Sequence, residues 1–311
     1  MPKTVLITGG TGLIGRALAA RLQEDGYDVA ILTRRESGVG LLDGRSVRFV
    51  HWTAKEAAGW VEEAKGAYGI VNLAGSSIAS GRWSAPVKKR ILESRLLAGK
   101  AVSEAVRLSG SRPEVVVQAS AIGFYGSRGG DEVDESSSRG SGFLADVTKL
   151  WEESTLEVET LGVRRVIVRT ALVLAREAEL IRRISLPFKL FLGGSQGSGR
   201  QWMSWIHVRD EAGAIAFLLG REDLSGVFNL AAPEPVRNSD FYRELGRVMR
   251  RPSILRTPSF LLRAALGEMA DELLLTSQRV MPKRLLEHGF SFLYPDLSSA
   301  LKEIIGTKVS S

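Results

Sequence analysis

Three glycines spaced by three, Gly9, Gly12 and Gly15, stand between an apolar stretch, Val5-Leu6-Ile7, and a helical stretch running from Ala17 to Leu22. That context constrains the chain more than any other feature. Gly9 permits a tight turn, Gly12 lets backbone N–H groups approach a pyrophosphate, and Gly15 lets the helix pack close to the strand. Thr11, Leu13 and Ile14 complete the turn at the helix N-terminus, where the dipole favours an anion. The alternative is a glycine turn that holds no ligand.

Short β-branched runs at residues 4–8, 29–33, 47–51, 69–73, 115–119 and 165–170 alternate with longer amphipathic stretches at 13–25, 85–108 and 143–161. The rhythm predicts βαβ units and a parallel sheet. The fold class expected is α/β, a Rossmann-type doubly wound parallel sheet with a smaller C-terminal domain on the substrate side. After Thr170 the rhythm breaks at a Gly-rich stretch, 193–199, and a last strand is expected at 227–230. Residues 1–237 then form the nucleotide-binding domain, with a substrate-side insertion at about 175–204. Residues 238–311 form a small, mainly helical domain that closes over the nicotinamide end of the cleft.

The second strand ends in Arg34-Arg35 rather than in an acidic residue. A carboxylate there would bind a ribose 2′-hydroxyl, whereas guanidinium groups pair with a 2′-phosphate, so the cofactor expected is NADP(H). Two exposed arginines without a ligand are the bland alternative. The chain has no cysteine, which excludes a disulfide framework and a Cys nucleophile, and its three histidines lack metal-site spacing. No signal-like or membrane-spanning run is present, so a cytoplasmic location and no membrane partner are expected. The net charge of +7 is spread along the chain, which argues against nucleic acid and for solvated faces or a pocket for an anionic small molecule. A homodimer is left open.

The set 8–15, Asn72-Leu73-Ala74-Gly75, Ala119-Ser120-Ala121 and Trp205-Ile206-His207-Val208-Arg209-Asp210 resembles the extended short-chain dehydrogenase/reductase superfamily. Gly81-Arg82-Trp83, residues 121–126, 197–205 and 231–236 resemble its atypical, epimerase-like branch. The C-terminal part resembles a small domain of unknown function found there. The resemblance implies that Leu73, Ala74 and Gly75 line the cofactor. It also implies that Ser120 and Lys149 take two of the three catalytic positions, with Lys149 holding the nicotinamide ribose. The third, normally a tyrosine, falls on Ala145, which cannot transfer a proton.

Tyr125, in the loop after the fifth strand, is then the candidate proton donor, its alternative being a pocket wall with a polar tip. Arg200 suits a phosphate or carboxylate, and Trp202 a flat ring; both are candidate substrate contacts. Trp205 is read as pinning the loop to the core, His207 as a satisfied structural histidine, and Asp210 as the cap of a helix over 211–219. Two functions stay open: an NADP(H)-dependent oxidoreductase or epimerase acting on a small, sugar-nucleotide or anionic carbonyl substrate, and a sensor that binds NADP(H) without turnover.

Overall fold

Side chains of the first strand, β1 (Thr4–Thr8), are buried on both of its faces, and which helix each meets sets the layers of the molecule. Val5 and Ile7 pack on one face with Leu18 and Leu22 of helix α1 (Leu13–Glu24), whereas Leu6 packs on the other with Ala98, Val102 and Val106 of helix α2 (Ala85–Leu108). A strand buried on both faces reads as an unbroken apolar run, as this one does. The computed structural model describes residues 2–79 and 81–306.

The other strands of the sheet are β2 (Asp28–Thr33), β3 (Gly38–Leu42), β4 (Arg45–His51), β5 (Gly69–Asn72), β6 (Val115–Ala121), β7 (Arg164–Thr170) and β8 (Gly226–Leu230). Their order is β8-β7-β6-β5-β1-β2-β4-β3. All neighbours run parallel except β3, which folds back antiparallel on β4. The order reverses at β1, and the gap between the carboxyl ends of β1 and β5 is the switch point where such sheets bind ligands. The doubly wound sheet expected from the sequence is therefore present, with β3 added at one edge. Its Gly-Val-Gly-Leu-Leu carries two glycines in five residues, too weak a strand signal to be seen.

The helical stretch expected at 143–161 is broken. Helix α3 covers Phe143–Glu153, a turn follows, and a separate turn of helix covers Glu157–Thr160. Ser154 donates its hydroxyl back to the Trp151 carbonyl at 2.6 Å, a local bond that competes with helix continuation.

Beyond β7, helix α4 (Glu179–Lys189), helix α5 (Val208–Gly220), helix α6 (Asn238–Met249) and helix α7 (Leu297–Ile305) complete the framework. Ile184 and Phe188 of α4, Phe241 and Leu245 of α6, and Leu301 and Ile304 of α7 share one core cluster. Asp296 caps α7 by accepting the Ser299 N–H at 2.9 Å. Asp210 does not cap α5, whose first turn begins at Val208 with His207 as its cap. Instead the Asp210 carboxylate accepts the N–H groups of Leu293 and Tyr294 at 2.7 and 2.9 Å and ties down the C-terminal loop. His207 is buried and satisfied: Nδ1 accepts the Arg209 N–H and Nε2 faces Glu303 at 3.1 Å. Among the described residues no helix is long and apolar enough to cross a membrane.

Candidate functional site

The glycine turn is a cradle that side chains would fill. Gly9 has φ +66°, and a Cβ there would stand 2.8 Å from the Leu73 carbonyl oxygen. A Cβ on Gly15 would come within 2.5 Å of the Gly10 Cα, so this glycine is what lets α1 seat on the turn. Gly12, at the N-cap of α1, donates its N–H to the Gly9 carbonyl at 2.9 Å; Thr11 and Gly12 are open to solvent, and the first helical turn carries no acidic residue. Leu13 and Ile14 stand half-buried beside them. Backbone donors and a bare helix N-terminus thus face outward at the switch point.

The opposite wall is latched to the end of β1 by one hydroxyl. Thr8 Oγ1 donates to Asn72 at 2.6 Å and accepts the N–H groups of Leu73 and Ala74 at 3.1 and 3.2 Å. Arg34 and Arg35, just past β2, are exposed, and no carboxylate pairs with either among the described residues. The turn and the Leu73–Gly75 wall fit a nicotinamide dinucleotide, and Arg34 and Arg35 stand beside them, the latter over the Phe49 ring at 5.6 Å.

Beyond this wall lies a cavity of about 230 Å³, walled largely by apolar side chains from β6, α3, α4, α6 and the stretch 272–278. Helix α3 turns Leu144, Val147, Thr148 and Trp151 toward it. Lys149 follows Thr148 by about 100° of helix and points away, half exposed and paired with Glu153 at 3.6 Å. Ala145 is buried in the core. The register read from the sequence is therefore off by one: the pair spaced by four that faces the cavity is Leu144 and Thr148. Neither side chain supplies the tyrosine or the lysine, and the Thr148 hydroxyl is committed to the Leu144 carbonyl at 2.8 Å.

Ser120 is corrected for the same kind of reason. Strand alternation points it away from the cavity and leaves Ala121 there. Its hydroxyl donates to Glu152 at 2.6 Å, and Glu152 holds the Arg169 guanidinium at 2.8 and 3.0 Å. Tyr125 is fully buried, donating to Asn229 Oδ1 at 2.7 Å and accepting from Arg169 at 3.0 Å, and burial pushes its phenol up. A phenol spent on two internal partners is not presented to a ligand.

On the substrate side, Trp202 lines the cavity with the guanidinium groups of Arg237 and Arg279 at 4.0 and 5.0 Å from its ring. Arg200 is exposed outside the cavity, its carbonyl accepting from Arg237. Trp205 is fully buried and donates to the Glu234 carbonyl at 3.1 Å, which fixes the loop to the core.

Three residues that the sequence reading passed over belong to the site. Arg95 lines the cavity 4.8 Å above the Trp151 ring, spends only Nη1, on the Ser76 and Ile91 carbonyls, and has no carboxylate partner among the described residues. Burial pulls it down to about 10, which leaves it charged at neutral pH. In the sequence it is one arginine in a basic amphipathic helix, with no mark of its inward direction. Tyr242 of α6 faces the cavity, and burial alone pushes its phenol up. Glu272 lines the same space and caps α3, accepting the N–H groups of Phe143 and Leu144 at 3.0 and 3.2 Å.

The sequence profile of the NAD dependent epimerase/dehydratase family matches residues 5–231, and a domain of unknown function, DUF1731, matches residues 257–304. The chain is 36% identical to the epimerase family protein YfhF of Bacillus subtilis over 305 residues, covering 98% of each chain. It is 37% identical to the epimerase family protein ML0860 of Mycobacterium leprae over 297 residues, 96% of this chain and 94% of that one. The crystal structure of human epimerase family protein SDR39U1 with NADPH superposes with a TM-score of 0.86 at 30% identity, covering 97% of this chain and 98% of that one.

Proposed function

This chain belongs to the NAD dependent epimerase/dehydratase family, and from that premise we propose that it binds NADP(H) at the carboxyl ends of β1, β2 and β5 and reduces or epimerises a small, mostly apolar carbonyl or sugar-derived ligand in the adjoining cavity. The observation that carries the cofactor reading is the glycine cradle of Gly9, Gly12 and Gly15 with the unpaired Arg34 and Arg35 beside it. The NADPH named with the human relative supports the same choice. Gly9–Gly15 would hold the pyrophosphate, Arg34 and Arg35 the 2′-phosphate, and Leu73–Gly75 the flank of the dinucleotide. Arg95, whose Cζ lies 3.2 Å from where a Gly75 Cβ would stand, adds a positive charge on that flank. A cytoplasmic location goes with this reading, since a chain without cysteine draws nothing from an oxidising compartment.

When bound, the nicotinamide supplies or accepts the hydride. The chain's own part is to exclude water with Leu144, Val147 and Ile184, to hold the ligand against Trp202, and to supply a proton. Tyr242 carries the one phenol that lines the cavity among the described residues; burial pushes it up and makes it a weaker acid than a free tyrosine, so it donates a hydrogen bond to the ligand oxygen and gives up its proton only as negative charge develops there. A second reading, binding without turnover, is favoured by Leu144 and Thr148 at the positions that face the cavity. Fluorescence titration with NADPH tests the binding. Gly12 has φ −77°, which any residue adopts, and a Cβ there would meet only the Gly9 carbonyl oxygen, at 3.2 Å, so Gly12→Val should fold with a small local shift of the turn and lose affinity at least tenfold. Unchanged affinity in the variant would overturn the site assignment.

A further inference from the structure

The outer side of the elements that wall the cavity carries a surface of a different character. Leu186 of α4 and the tip after it, Leu190-Phe191-Leu192, stand out into solvent, each 58% exposed or more. Beside them lie Ile254, 79% exposed, and Leu255. The two segments form one face: Gly194 pairs with Leu255, the Leu255 N–H reaches the Gly193 carbonyl, and the Arg251 guanidinium sits 4.7 Å above the Phe191 ring.

The charges on this face have one sign. Arg182, Arg183, Lys189, Arg250, Arg251 and Arg256 are exposed on it, and no acidic residue occurs in 180–192 or 245–258. Arg183 is paired with Glu179 at the far end of α4, and the others have no carboxylate partner among the described residues. Two of the four non-glycine residues with positive φ among the described residues are here, Phe191 at +60° and Arg250 at +54°. Glycine is the ordinary residue at such turns, and the bulky Phe191 in particular is held outward at a conformational cost.

We propose that this face docks the protein on an anionic lipid bilayer, with Leu190, Phe191, Leu192 and Ile254 entering the headgroup boundary and the arginines at the level of the lipid phosphates. Consecutive exposed aliphatic and aromatic tips ringed by unpaired cations are what an interfacial membrane site requires. A second copy of the chain is disfavoured, because a two-fold contact would set the cations of one face against those of the other. Nucleic acid would use the arginines and leave the apolar tip without a partner. The expectation of no membrane partner rests on the lack of a run long enough to span the bilayer, which this mode does not need, and the docking proposed here departs from it. The proposal stands apart from the cofactor site and does not depend on it.

The chain lacks cysteine, so Leu190→Cys can carry a single environment-sensitive fluorophore. The labelled full-length protein is mixed with vesicles of phosphatidylcholine alone and with vesicles containing about a third phosphatidylglycerol, at low and physiological salt. Flotation is measured in parallel on the unlabelled protein and on two exposed-residue variants, Phe191→Ser/Leu192→Ser and Arg250→Glu/Arg251→Glu. The expected result is flotation with anionic vesicles only, a blue shift of the label on binding, and at least a tenfold loss of partition in each variant. Absence of flotation at low salt overturns the proposal. So does flotation that the Ser variant leaves intact, which would be charge attraction alone. Concentration-dependent self-association abolished by the Ser variant overturns it in favour of a dimer face. Capture of an acidic protein with no vesicle binding overturns it in favour of a protein partner.

Discussion

The Arg169 guanidinium donates to the Tyr125 hydroxyl at 3.0 Å inside a buried network that also holds Asn229, Glu152 and Ser120. Each member satisfies another, so removing one leaves donors and acceptors stranded in the core. Tyr125→Phe should therefore cost about 1–3 kcal/mol of stability, read from urea unfolding, while NADPH affinity and any turnover stay at the native level. Loss of turnover with native stability would return Tyr125 to the chemistry.

Leu144 and Thr148 face the cavity with the four-residue spacing of the tyrosine and lysine that the chain lacks. Leu144→Tyr with Thr148→Lys should raise the single-turnover rate of NADPH oxidation, with the best carbonyl substrate found, by roughly 10²–10⁴-fold. Ala145→Tyr should instead destabilise the protein by overpacking, since Ala145 is fully buried. Tyr242→Phe in the native background should abolish turnover and spare cofactor binding. If Tyr242→Phe turns over normally, the phenol is not the proton source.

Glu211 of α5 sets a pH dependence of stability. It is fully buried, accepts the Thr170 hydroxyl at 2.7 Å, and has no partner for Oε2 among the described residues. Burial pushes it up to about 8 from an ordinary 4.5. Between those values the folded chain keeps a proton that the unfolded chain has released, so stability falls as pH rises from about 4.5 through about 8. The full effect is on the order of 5 kcal/mol. Thermal unfolding across pH 4–9 should show Glu211→Gln level with the native protein at the acid end and more stable above pH 8. Parallel curves would mean Glu211 is ionised in the fold.

The sheet was legible in the sequence because strands buried on both faces must be apolar runs, and the glycine turn because backbone geometry leaves no other residue at Gly9 and Gly15. Strand β3, with alternate glycines, left no comparable trace. The catalytic positions were misread by one residue. A helix places neighbours about 100° apart, so Lys149 and Thr148 differ in everything that matters for chemistry, yet identity at Lys149 was the stronger signal in the letters. Ser120 and Ala121 show the same limit on a strand, where one step reverses the face. Arg95 and Tyr242 reach the cavity through tertiary packing of α2 and α6, which no local pattern announces.

Arg34 and Arg35 carry the central claim, that the cleft is built for a 2′-phosphorylated dinucleotide. Equilibrium titration of the native protein with NADPH and with NADH, at one salt concentration and followed by fluorescence, measures it directly. The account predicts at least tenfold tighter binding of NADPH and a reversed preference in Arg34→Asp, where a carboxylate replaces the phosphate-pairing guanidinium. Equal affinities, or tighter binding of NADH by the native protein, would contradict it.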